Sequence, residues 1–283
     1  MLNISINGKT ADITLEAEKT IGEVLSGIDS WLQNSGFRLN GLEIDGEKID
    51  SHAVPLVFGR ELAGIRALNI QVCAGSELAL DALTDAAALL SAFGEALKTG
   101  GREEAEKIAA LWESGAAASF LSVEFPELYR DLGAAFTDAA ARSGAVKGIV
   151  EERIREIARP LEEAERLEAL VNSVAARLEE LPLDIQTGKD SRAAETVTLF
   201  SAAAEKLFRL YHILKIQGED FSSLMVEGAP LAAFLEEFSG AVNEMLRAYQ
   251  GRDLVLVGDL AEYELAPRLK GFLAGLLALR EKV

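Results

Sequence analysis

Asn7-Gly8 is the dipeptide that tolerates positive φ at both corners of a two-residue turn, and it stands between two runs of alternating character. In LNISI, Leu2, Ile4 and Ile6 share one face; in ADITL, Ile13 and Leu15 answer them. The opening residues therefore predict a β-hairpin with one apolar side. A lone hairpin is marginal in water, so that side needs a cover. The cover follows directly. Thr20 precedes IGEVLSGIDSWL with Glu23 three residues on, a capping box in which hydroxyl and carboxylate each satisfy a free amide. Ile21, Val24, Leu25, Ile28 and Leu32 then recur at helical spacing, and Gly36 ends the helix.

After the helix, FRLNGLEIDGEKID carries a second turn at Asp45-Gly46, between short strands around Leu42–Ile44 and Lys48–Ile49. Past a loop with Pro55, Leu68, Ile70 and Val72 alternate as a last strand. The order is hairpin, helix, short strands, last strand. Together with the stretch GKTADITLEAEKTIGEVLSGI, it resembles the ubiquitin-like β-grasp family over roughly residues 1 to 74. Modifiers of that family end in an exposed Gly-Gly, whereas here Val72-Cys73-Ala74-Gly75 runs on into more protein. The resemblance thus implies a fixed binding module and not a conjugated tail. It also implies a partner face on the sheet, for which Leu42, Ile44, Leu68 and Ile70 are the candidates. The competing expectation is that these four line the core under the helix, since half of each strand points inward.

From Ser76 onward Ala, Leu and Glu dominate. The expected architecture is α+β: a β-grasp domain over 1–75, then an α-helical bundle of antiparallel hairpins over 76–283. Helices are predicted near 77–98, 103–121, 127–142, 147–181, 190–216, 230–250 and 255–281. Between Val150 and Leu181 apolar residues step by threes and fours, with a kink expected at Pro160, whose ring removes a donor and crowds the preceding turn. KTGGREEAEKI, QTGKDSRAAETV and YQGRDLVLVGDL share a glycine-containing joint between helices, which suggests duplication. Gly100, Gly188 and Gly251 are expected to take the left-handed conformation that closes a helix, and Asp190 and Asp253 to cap or favour the next start. QTGKD and GDLAEYELAP also resemble segments of uncharacterised bacterial helical proteins, a likeness that implies no activity.

No specific reaction is legible. A net charge of −18 repels phosphate backbones and anionic membranes, so neither nucleic acid nor membrane insertion is expected. One cysteine, Cys73, fits a reducing cytoplasm, and the start MLNISINGK lacks the features of a secretory signal. With His52 and His212 as the two histidines, the Glu-x-x-His pairs of di-iron bundles are missing and an ordinary zinc site is not expected. Asp259 and Glu262 share a helix face and, with Glu264, offer oxygen ligands to a hard cation; solvated surface is the ordinary role of such a cluster, and Arg268 and Lys270 are placed to pair with it. Gly8-Lys9-Thr10 lacks the earlier glycine of a phosphate loop, and G-x-G-x-x-G and G-x-S-x-G are both absent.

Phe208 and Tyr211, at i and i+3, suit either core packing between hairpins or a groove for a partner helix. The expectation is a cytoplasmic, non-enzymatic interaction or assembly factor without a cofactor. Its partner would be another protein, with self-association through Ala-rich helices possible on packing grounds. The alternative is a small-ligand binder or enzyme with a pocket between the two domains.

Overall fold

The computed structural model describes residues 2–11, 13, 15, 17–137 and 141–280. An α+β N-terminal region is followed by a mainly helical one. The last strand of the sheet ends at Ala74 and helices begin at Gly75, and contacts divide the chain into units Met1–Ile154 and Arg155–Val283. The sheet and the first helices thus form one compact unit, and the remaining helices form the other.

In the first unit, β1 (Asn3–Ile6) and β2 (Lys9–Thr10) form the hairpin, with Asn7 and Gly8 at φ 48° and 77°. Ile13 and Leu15 pack on the core as expected, but β2 lies ahead of the strand expected over 11–15, of which residues 12 and 14 lie outside the described residues. α1 (Ile21–Asn34) begins with the capping box: Glu23 N–H donates to Thr20 Oγ1 at 3.3 Å, and Thr20 N–H to Glu23 Oε2 at 3.1 Å. Gly36 closes its end at φ 72°. β3 (Phe37–Ile44), β4 (Glu47–Asp50) and β5 (Ala67–Ala74) complete a mixed sheet of order β2-β1-β5-β3-β4, in which β5 runs parallel to β1.

The register decides the faces. Ile6, Ile70, Leu42 and Ile49 form one cross-strand row, and Ile4, Leu68 and Ile44 a second. Both rows pack against Ile21, Val24 and Leu25 of α1. The row between them points the other way and is polar: Thr10, Ser5, Asn69, Glu43 and Lys48 across all five strands. Both hairpin turns are tied to β5. The Asn7 side chain donates to Val72 O and accepts from Val72 N–H, each at 2.9 Å. Asp45, at φ 51°, accepts from Arg66 and Ala67 N–H through Oδ1, each at 2.9 Å.

β5 passes straight into α2 (Gly75–Lys98), followed by α3 (Arg102–Glu113), α4 (Ala116–Glu124) and α5 (Pro126–Thr137). The helix expected over 103–121 is two. Gly115 is extended between them, and a Cβ there would meet Leu111 O at 3.0 Å. Trp112 stacks on Phe136 at 5.3 Å, and Phe93 meets Phe136 edge-on at 5.4 Å. Arg38 of β3 grips both carboxylate oxygens of Glu124, at 3.0 and 3.2 Å, joining sheet to helices. α6 (Ala141–Ala158) contains the boundary between the units.

In the second unit, the helix expected over 147–181 breaks at Arg159-Pro160 and again at Leu167, giving α7 (Pro160–Arg166) and α8 (Glu168–Gln186). Pro160 starts α7, where its missing N–H costs nothing. α8 continues through Pro182, against which Gly258 packs so closely that a Cβ would lie 3.2 Å from Pro182 Cα. α9 (Asp190–Ile216) leads to an unexpected hairpin, β6 (Met225–Val226) and β7 (Ala229–Pro230), turning on Glu227-Gly228 at φ 52° and 85°. α10 (Leu231–Gln250), α11 (Leu254–Asp259), a wide π-helical turn over Leu260–Leu265, and α12 (Ala266–Leu277) finish the unit. No helix among the described residues is long and apolar enough to cross a membrane.

The hydrogen bonds from Ala67 and Arg66 hold the Asp45 carboxyl below its ordinary pKa of 3.8. A depressed folded-state pKa contributes stability that is present above the unfolded value, about 4, and lost as pH falls through the folded one. Asp45→Asn keeps an acceptor and the left-handed corner but cannot titrate. Its denaturant midpoint, followed by circular dichroism from pH 7 to pH 3, should therefore decline less steeply than that of the wild type. Parallel declines would show that Asp45 is not coupled to folding.

Candidate functional site

The four sheet residues expected to face a partner do not. Leu42, Leu68 and Ile70 are 0% exposed and Ile44 is 1%, because their rows lie under α1. The open face carries the polar row instead. Cys73 is half-buried there, and burial together with Glu77 and Asp81 raises its thiol pKa, which disfavours the nucleophilic thiolate. Phe208 and Tyr211 are half-buried in the second unit's aromatic core. Phe208 stacks on Phe238 at 5.8 Å and meets Phe272 at 5.0 Å; Tyr211 meets Phe221 at 4.8 Å. They pack on the core between hairpins, the first of the two roles expected of them. His212 is exposed, and the side chain of His52 lies outside the described residues.

The acidic run near Asp259 is parted by the π-turn, which changes the spacing a shared face requires. Glu264 binds Arg268, Glu262 hydrogen-bonds Tyr263 and raises its pKa, and Lys270 reaches Glu179 at 2.8 Å. Among the described residues, no group of three or more His, Cys, Asp or Glu is placed to hold a metal ion.

Among the described residues of the second unit, three carboxylates are buried, and each has cations. Glu156, 0% exposed, receives both Nε and Nη2 of Arg209, at 3.3 and 3.2 Å, with Lys206 at 3.9 Å. Glu163 has Arg155 at 3.3 Å, Lys206 at 3.7 Å, and Arg166. Asp184 has Lys189 at 3.3 Å and Arg192 at 3.1 Å. These groups link α6, α7, α8 and α9 within the unit. Paired with cations in this way, they act as structural anchors.

Two helix joints of the second unit come together around a crevice of about 350 Å³. Leu181 and Ile185 of α8, Val197 of α9 and Val257 of α11 give it an apolar floor. Exposed Asp190, Ala194, Tyr249, Arg252 and Leu254 line it further out. The same elements also expose Leu183, Leu246 and Val255 elsewhere on their surfaces. Only Asp190, Tyr249 and Arg252 among the lining residues are ionisable. Such a site suits apolar contact framed by two opposite charges. The sequence named both joints but not their juxtaposition, which depends on how α8, α9, α10 and α11 pack.

Residues 2–74 match the family model described as TP0873 N-terminal domain, and residues 162–274 match a domain of unknown function, DUF8042. Each covers less than half of the chain. The first ends where β5 gives way to α2; the second contains every residue of the crevice. An uncharacterised protein of Treponema pallidum (strain Nichols) is 22% identical over 276 residues, spanning 98% of this chain and 96% of that protein. No solved structure matches.

Removing Arg209 would leave Glu156 buried with weaker compensation. Breaking a buried pair from one side typically costs about 3 kcal/mol. Arg209→Ala should therefore lower the unfolding free energy by about that amount, measured by urea titration. Glu205→Ala, which removes a partner of Arg209 that is 69% exposed, should change it little.

Proposed function

We propose that the protein is a non-enzymatic, cytoplasmic interaction or assembly factor, with a β-grasp head and a helical region that docks an apolar segment of another protein. The crevice carries this reading. Its floor is apolar, its bounding helices expose further apolar side chains, and its three ionisable lining residues do not make a nucleophile–base pair. Apolar surface clustered at a concave site is a mark of partner binding. Helices meeting at such a groove suit an amphipathic helix, which would bury its anchors at regular spacing. The head contributes in a different way. Its capped helix, two hairpins and central last strand beside β1 support the β-grasp reading, and its open face is polar, so any contact made there would rest on hydrogen bonds and charge.

The test is site-specific crosslinking in cells. A photoreactive residue in place of exposed Leu254 should yield a discrete protein adduct. Ala194→Trp, which fills the crevice from an exposed position, should abolish that adduct while helical content stays unchanged by circular dichroism. Absence of a protein adduct, combined with thermal stabilisation by a metabolite that Ala194→Trp removes, would favour the small-ligand alternative.

A further inference from the structure

Four helix ends among the described residues close in the same way. At the ends of α2, α8, α9 and α10, one backbone N–H reaches back three residues and the next reaches back five: Gly100 to Leu97 and Gly101 to Ala96, Gly188 to Ile185 and Lys189 to Asp184, Gly218 to Lys215 and Glu219 to Leu214, Arg252 to Tyr249 and Asp253 to Ala248. This closure requires a left-handed residue, ordinarily glycine. Three of the ends comply, with φ of 77°, 70° and 92° at Gly100, Gly188 and Gly218. The fourth does not. Gly251 stands one place early at φ −76°, and Arg252 takes the left-handed position at φ 57°. The expected role of Gly251 is therefore filled by its neighbour, at a backbone cost that glycine would avoid.

The side chain held at that cost lines the crevice. Arg252 forms no ion pair or side-chain hydrogen bond with another described residue. At the sister joint, by contrast, Lys189 and Arg192 are both engaged by Asp184. Asp190 lines the same crevice from α9 and also lacks an ion pair among the described residues, so the two opposite charges stand apart from each other; Tyr249 is the third ionisable lining group. Strained positions persist where something other than stability retains them.

We propose that Arg252 is the specificity residue of the crevice. It selects an amphipathic helix that presents a carboxylate beside its apolar anchor, with a basic side chain on the far flank facing Asp190. This rests on the docking reading above and adds the charge pattern of the partner.

The probes are synthetic amphipathic helices of about five turns with one common Leu/Phe face. The first carries Glu and Lys on either side of the anchor, and the second replaces that Glu with Gln. Fluorescence anisotropy is read against the full chain, Arg252→Gly and Arg252→Met. The Glu peptide should bind the wild type roughly five- to tenfold tighter than the Gln peptide, and both variants should lose that preference. Arg252→Gly should also melt higher, by roughly 2–6 °C, since glycine suits the turn. Equal binding of the two peptides to the wild type would overturn the assignment. So would a lower melting temperature for Arg252→Gly, which would show that the arginine supports the fold. Charge-blind binding that Ala194→Trp still blocks would leave the docking reading standing without Arg252. Failure of both peptides to bind the wild type would remove the docking reading and this inference together.

Discussion

Strand β5 lies between β1 and β3, and the hairpin turns at the ends of both neighbours reach across to its main chain. The Asn7 amide completes a two-bond pairing with Val72, and Asp45 takes the N–H groups of Arg66 and Ala67. Asn69 of β5 answers by accepting from Gly8 N–H and Ser5 Oγ. These contacts matter because strand side chains alternate. A slip of one residue would carry Leu68 and Ile70 to the open face and bring Asn69 under α1. Holding both ends of the register thus selects which residues become the core, and the seat of α1 follows from that. The start of α2 follows as well, because no loop intervenes after Ala74.

Much of this was readable in advance because it depends on local chemistry. Asn-Gly and Asp-Gly act through their own φ angles, and the capping box through residues three apart. What failed depended on neighbours distant in sequence. Leu42, Ile44, Leu68 and Ile70 alternate in a way that suits either face, and only cross-strand pairing under α1 decides between them. The break at Gly115 looks like one glycine in a helical pattern. Pro182 looks like a terminator, yet Gly258 makes room for it. The β6–β7 hairpin turns on Glu-Gly, whose first residue has none of the turn bias of Asn or Asp. At YQGRD the glycine suggested its own left-handed turn, and the structure moved that turn to Arg252. The crevice had no local signature, since it arises where two joints 60 or so residues apart in sequence meet.

Charge is distributed between two tasks. The net −18 is largely a solvated exterior, while Glu156, Glu163 and Asp184 are drawn inward and matched by lysine and arginine. Buried pairs of this kind add little net stability over apolar packing, but they penalise every arrangement that separates them. In the second unit they restrict how α6, α7, α8 and α9 come together. The aromatic cluster of Phe208, Phe238 and Phe272 then fills the interior that results. A crevice on such a scaffold is formed before any occupant arrives, which lowers the ordering cost of binding.

The uninterrupted passage from β5 into α2 also has a mechanical side. β1 and β5 run in the same direction, so the start of one and the end of the other lie at opposite ends of the pair. Tension applied between them would slide the strands lengthwise and load their rungs simultaneously, and β3 would resist along the other flank of β5. Peeling one rung at a time is not open to a force with that direction. Resistance to pulling would therefore reside in the strand pairings flanking β5, and the direct join to α2 would pass the load to them with no slack to take up first.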